Sequence, residues 1–120
     1  MNSRDKGARG ERELAHYLEQ FGFEARRGQQ YSGANGDADV EGLPGIHIEC
    51  KRVEKLDLNS ALQQSDDDSY ADSIKHGYRI IPTVFHRQNA SAKKPVKGRW
   101  KVTLFADDFI ELVKKGIKNG

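Results

Sequence analysis

The amino-acid sequence predicts an α/β domain with one central mixed β-sheet flanked by helices. Its 120 residues suffice for one hydrophobic core and are too few for two. Apolar residues at helical spacing alternate along the chain with stretches of period two, the pattern of helices interleaved with strands. No repeat or linker interrupts the sequence, so residues 1–120 are read as a single domain. The composition is 36% hydrophobic and 32% charged with mean hydropathy -0.81, polar but with enough Leu, Ile, Val and Phe to form a core.

The elements follow in order. Leu14, Ala15, Leu18 and Phe21 recur at helical spacing, which predicts a helix over 8–20 stopped by Gly22. Residues 23–27 read as a short strand, and the Gly, Gln, Ser and Asn of 28–36 as a loop. Asp39-Val40-Glu41 resumes extended structure, and Gly42-Leu43-Pro44-Gly45 turns the chain into the next strand, making a hairpin. In Ile46-His47-Ile48-Glu49-Cys50-Lys51 the alternation sets Ile46, Ile48 and Cys50 on a core face and His47, Glu49 and Lys51 on a polar one.

A second helix is expected from 59 to about 76, ended by Gly77, with Leu62, Tyr70 and Ile74 among its apolar residues. Its middle, Ser65-Asp66-Asp67-Asp68-Ser69, is poor helix-forming material. Residues 79–86 read as a strand in which Pro82 argues for an edge or bulge position. After a basic loop at 89–97, residues 100–105 alternate as a final strand. Asp107 or Asp108 can then cap a closing helix through residue 115, whose buried stripe would be Phe109, Leu112 and Val113.

Composition also removes whole classes of function. The longest apolar runs are a few residues, far below the roughly 20 that cross a bilayer, and the first residues lack an apolar leader, so membrane and secretory readings both fall. The single cysteine, Cys50, excludes an internal disulfide and suits a reducing compartment such as the cytoplasm. His16, His47, His76 and His86 are scattered without zinc-motif spacing, so zinc is set aside.

Charge is distributed unevenly behind the net value of +2. No acidic residue lies between Asp72 and Asp107, while Lys75, Arg79, Arg87, Lys93, Lys94, Lys97, Arg99 and Lys101 all do. Such an interval supplies the salt-sensitive, sequence-independent part of nucleic-acid affinity, although many basic stretches are solvated surface.

Four residues suggest chemistry: Glu11 on the first helix, Asp39 at the start of one hairpin strand, and Glu49 with Lys51 on the next. Adjacent strands can bring Asp39 and Glu49 together, and two carboxylates in a partly dry site require either a proton or a bridging cation. Mg²⁺ suits the oxygen ligands, and a lysine two residues beyond Glu49 on the same strand face can reach a phosphate or water beside it. Phosphodiester hydrolysis fits that set, with Glu11 orienting water or holding a second ion. Asp-x-Asp and Glu-x-Lys are nevertheless cheap patterns that also occur on solvated strands.

The segment Lys6-Gly7-Ala8-Arg9-Gly10-Glu11-Arg12-Glu13-Leu14, continued by Leu18-Glu19-Gln20-Phe21-Gly22-Phe23, resembles the first helix and strand of archaeal-type Holliday junction resolvases and their phage-borne relatives. The hairpin with Asp39-Val40-Glu41-Gly42 and Ile48-Glu49-Cys50-Lys51 resembles the D…ExK core of the PD-(D/E)xK nuclease superfamily. The likeness covers about residues 6–52, and Ala38 stands where the superfamily motif has its proline. It implies a restriction-endonuclease-like fold and an active site of Glu11, Asp39, Glu49 and Lys51, with the Cys50 backbone carbonyl as a further metal ligand. It also implies Mg²⁺ as cofactor, replaceable by Mn²⁺, and no small-molecule cofactor. By the same resemblance Arg12, Arg27 and Ser32 would contact DNA, and Gln64 would support the site. The basic interval, through Arg87, Lys93, Lys94 and Lys97 among others, would hold DNA phosphates.

The resulting expectation is a Mg²⁺-dependent endonuclease that resolves four-way DNA junctions as a homodimer, since paired opposed cuts need two sites related by a two-fold axis. Phe105, Phe109 and Trp100 are candidate dimer contacts. A nuclease of the same fold with another target (nicking, fork-specific or restriction-type) and a DNA-binding protein with structural carboxylates are the alternatives. The remaining residues have plainer readings: His47 a bystander over a phosphate contact, Asp66, Asp67 and Asp68 a solvated helix face over a metal cluster, Trp100 a core or packing anchor over a base-stacking group, and Tyr31 open to either role.

Overall fold

The computed structural model describes residues 3–28, 38–52, 55–87 and 99–119. Within them the order is α1 (Ser3–Glu19), β1 (Arg26–Arg27), β2 (Val40–Glu41), β3 (Ile46–Lys51), α2 (Leu58–His76), β4 (Ile81–His86), β5 (Lys101–Thr103) and α3 (Ala106–Asn119). The five strands form one mixed sheet in sequence order, β1 through β5. β3 and β4 are parallel, with α2 as their crossover, and the other neighbouring pairs are antiparallel. This is the single α/β unit expected from the sequence. Among the described residues no helix is long and apolar enough to cross a membrane.

The two faces of the sheet are covered by different helices. On one side Leu14, Ala15 and Leu18 of α1 form a buried cluster with Ala25, Val40, Ile48 and Phe85. Trp100, half-buried, packs against this cluster, so its reading as an anchor holds. On the other side α2 lies over β3 and β4. Asp57 caps α2, its carboxylate accepting from the Ser60 amide at 3.1 Å, and Gly77 ends it in the left-handed region at φ 78°, as its position suggests.

Several sequence expectations need correction. The inward residues of α2 are Ala61, Ser65 and Ser69, whereas Tyr70 and Ile74 are exposed. The Ser-Asp segment is continuous helix because its small side chains let α2 approach the sheet: Ser65 Oγ donates to the Thr83 carbonyl at 2.8 Å. The β3 face carrying His47 and Glu49 is likewise buried, not solvated. Phe109, Leu112 and Val113 of α3 are exposed, so the stripe meant for the core is unpartnered among the described residues. Asp108 lies inside the first turn of α3, buried, and pairs with Arg79 in place of capping the helix.

Pro82 shows how a local rule survives inside a sheet. Ile81 donates its amide to Gly45 on the β3 side, so alternation turns the nitrogen of Pro82 the other way. There β5 pairs only with Val84, Phe85 and His86, which leaves β4 a local edge at Pro82.

Candidate active site

β2 ends where the site begins. The Asp39 amide donates to the Ile48 carbonyl at 3.0 Å, and one step further the Asp39 side chain takes over from the backbone: its Oδ2 accepts the Cys50 amide at 2.9 Å. That bond completes the ladder of β3 with a carboxylate and fixes Asp39 beside Glu49. The Cys50 carbonyl leaves β3 on the same side as its amide, toward Asp39. Gly28 lets β1 close over this point, because its amide donates to the Asp39 carbonyl at 2.8 Å and a Cβ there would sit 1.8 Å from the Ala38 oxygen.

Glu11, on α1, is also buried, and its Oε1 accepts from Arg27 Nε at 3.1 Å. Burial raises the Glu11 carboxyl above its ordinary value, Arg27 works the other way, and Glu49 adds to the rise. Burial and the facing Glu49 carboxylate push Asp39 up to about 8. Burial also acts to raise Glu49, but the neighbouring His47 and Asp39 and the charge of Lys51 outweigh it and hold Glu49 below the usual range. Asp39 is thus pushed toward its protonated form and Glu49 toward its charged form, the situation expected of two carboxylates forced together in a partly dry site. Glu11, Asp39 and Glu49 are therefore brought within electrostatic reach of one another, and Lys51 within reach of Glu49.

This donor set fits a hard divalent cation. It offers carboxylate and carbonyl oxygens, and the proton retained by Asp39 marks a place where positive charge is wanted. Burial, reinforced by the surrounding carboxylates, pushes the Cys50 thiol well up, so Cys50 offers its backbone and not a thiolate.

Two neighbours read as plain turn out to belong here. His47 is completely buried, with Nε2 3.9 Å from Glu49 and Nδ1 3.6 Å from Asp72. Asp68 is half-buried on α2, and ligand atoms of His47, Glu49 and Asp68 lie within 4.8 Å of one another. The signal for them is the four-residue spacing of Gln64, Asp68 and Asp72, one flank of a helix, facing a strand whose polar face includes His47. Gln64 is exposed one turn before Asp68 on that flank, while Asp67 is bonded to Gln63 on the exposed side, as a solvated residue should be.

The candidate DNA contacts divide. Arg12 is exposed; Arg27 is tied to Glu11, and Arg87 Nη1 donates to Glu13 at 2.7 Å. Ser32, Lys93, Lys94 and Lys97, with Tyr31 and the loops that carry them, lie outside the described residues. No family model, curated protein or solved structure matches this chain.

Proposed function

We propose that this chain is a metal-dependent DNA endonuclease of restriction-endonuclease-like fold, resolving four-way junctions by paired cuts as a homodimer. One observation carries the reading: the half-buried Asp39 faces the buried Glu49 and Glu11, and the Lys51 charge acts on Glu49. The element order, with a hairpin delivering Asp39 and Glu49 and a parallel strand following a crossover helix, supports it.

Asp39, Glu49 and the Cys50 carbonyl would hold Mg²⁺, which supplies positive charge at the scissile phosphate and acidity to water. Lys51, whose charge already acts on Glu49, donates to a non-bridging phosphate oxygen and stabilises the charge that builds during attack. Glu11 orients the attacking water, its own carboxylate steadied by Arg27. α1 and α2 shield the carboxylates from bulk solvent, which strengthens each of these interactions.

A two-fold pair of such sites matches the two opposed cuts of junction resolution. The exposed Val102, Phe109, Ile110 and Val113 on β5 and α3 offer an apolar surface for the second copy, with Phe109 retained from the sequence reading and Trp100 already engaged in the core. The test is cleavage of a synthetic four-way junction and a matched linear duplex, each with Mg²⁺ and with EDTA. Symmetric, Mg²⁺-dependent cuts confined to the junction are expected. Equal cutting of both substrates would overturn junction selectivity, and binding without cutting would overturn catalysis.

A further inference from the structure

His47 occupies an unusual environment for a histidine in a small protein. It is 0% exposed, and neither ring nitrogen has a hydrogen-bond partner among the described residues. A buried imidazole without partners forfeits the free energy of its lost water contacts, so a cation at one nitrogen, with a carboxylate drawn up to the other, is a physical explanation for its burial. Nε2 faces Glu49 and Nδ1 faces Asp72, each just beyond hydrogen-bond length at 3.9 and 3.6 Å. Asp72 is held in turn by His76, whose Nε2 lies 3.1 Å from its Oδ1. This is the order carboxylate, imidazole, open position, in which an outer carboxylate fixes the ring and its tautomer while the far nitrogen faces a cation.

We propose that His47, Glu49 and Asp68 form a second divalent-cation position, on the α2 side of Glu49, which takes a nitrogen-tolerant transition ion such as Mn²⁺ in preference to Mg²⁺. Their ligand atoms lie within 4.8 Å of one another, a span that closes around one ion with small side-chain movements. One imidazole and two carboxylates favour transition metals over Mg²⁺, which seeks oxygen alone. Asp72 would accept the Nδ1 proton and hold the ring in place. Glu49 stands between this position and Asp39, in contact with both partners, so it can bridge two ions in the manner of two-metal phosphodiesterases. Asp68 sits on the exposed flank of the cluster, a side from which an ion can enter.

The inference rests on the nuclease reading for what the ion would do, and not for whether it binds. Its test is pulsed electron paramagnetic resonance of Mn²⁺ bound to the full chain in the presence of a tenfold excess of Mg²⁺. Nitrogen modulation from one imidazole is expected, absent in His47→Gln. Asp68→Asn, a half-exposed site that leaves the core untouched, and Asp72→Asn should each weaken Mn²⁺ binding roughly 10- to 100-fold. Bound Mn²⁺ with oxygen ligands alone, displacement by Mg²⁺, or undiminished affinity in Asp68→Asn would each overturn the second position. None of those results bears on Mg²⁺-dependent cleavage, whose failure would overturn the nuclease reading instead.

Discussion

On the α1 face of the sheet, Val40, Ile48 and Phe85 meet Leu14, Ala15 and Leu18, and the contact is apolar. On the α2 face, His47 and Glu49 lie beneath a helix whose inward residues are Ala61, Ser65 and Ser69 and whose flank carries Asp68 and Asp72. Both faces are buried, yet they are stabilised differently. The first gains free energy from apolar area, whereas the second buries carboxylates that repel one another. One face holds the fold together, whereas the other carries carboxylates whose repulsion a proton or a bound cation offsets.

Substitutions separate the two faces. The largest effect is expected on the acidic one, where Asp39→Asn or Glu49→Gln should lower cleavage by about 1,000-fold or more, as loss of a charge-stabilising group at a reacting centre does. DNA affinity should be retained, measured by junction binding in Ca²⁺; substantial residual cutting would contradict the assignment. Lys51→Met should act in the same direction and also raise the proton affinity of Glu49, whose low value depends partly on that charge.

On the apolar face the expected loss is of stability. Leu14 is fully buried, and Leu14→Ala should cost about 2–5 kcal/mol by denaturant unfolding, with cleavage per folded molecule preserved. Equal loss of stability and of per-molecule activity would dissolve the distinction between the faces.

A smaller effect separates them by pH. Asp39 moves from 3.8 when free to about 8 in the fold, and burial raises Glu11 as well. Burial opposes the charge on His47, but Glu49 and Asp72 prevail and raise it too. Between the unfolded and folded values of these groups the native state binds more protons than the unfolded one, so stability falls as pH rises from about 4 to 8. Glu49, shifted down, acts oppositely and loses its contribution only as pH falls through its own lowered value. Thermal melts of the metal-free protein should therefore be highest in mild acid and decline toward pH 8, with a flatter profile for Asp39→Asn. A melting temperature that climbs steadily from pH 5 to 8 would refute the buried-proton account.

The smallest expected effects concern the basic interval. Removing any one of Lys93, Lys94 or Lys97 should weaken DNA binding alike for all sequences and lower the salt slope by about 1. Arg87→Ala should do less to binding and more to stability, because its guanidinium is engaged with Glu13.

What the sequence disclosed follows the same division. The apolar face was readable because Leu14, Leu18, Val40 and Ile48 keep the spacing of a helix and of strands. The hairpin bringing Asp39 to Glu49 was readable from its turn residues. The α2 face is not, because Ala61, Ser65 and Ser69 carry no hydrophobic signal, and Tyr70 and Ile74 point attention to the exposed side of the helix. His47 and Asp68 escape notice for the same reason: a polar residue under a helix of small residues looks, in sequence, like one facing water. The stripe of α3 erred the other way, apolar and yet exposed.

On the nuclease reading, the proton that Asp39 keeps beside Glu49 holds the place of a cation. Calorimetric titration of Mg²⁺ at pH 7, in two buffers of different ionisation enthalpy, measures both uptake and the protons released with it. Saturable binding with release of about one proton, and loss of both in Asp39→Asn, is the predicted result. No uptake, or uptake that releases no proton and survives Asp39→Asn unchanged, would contradict it.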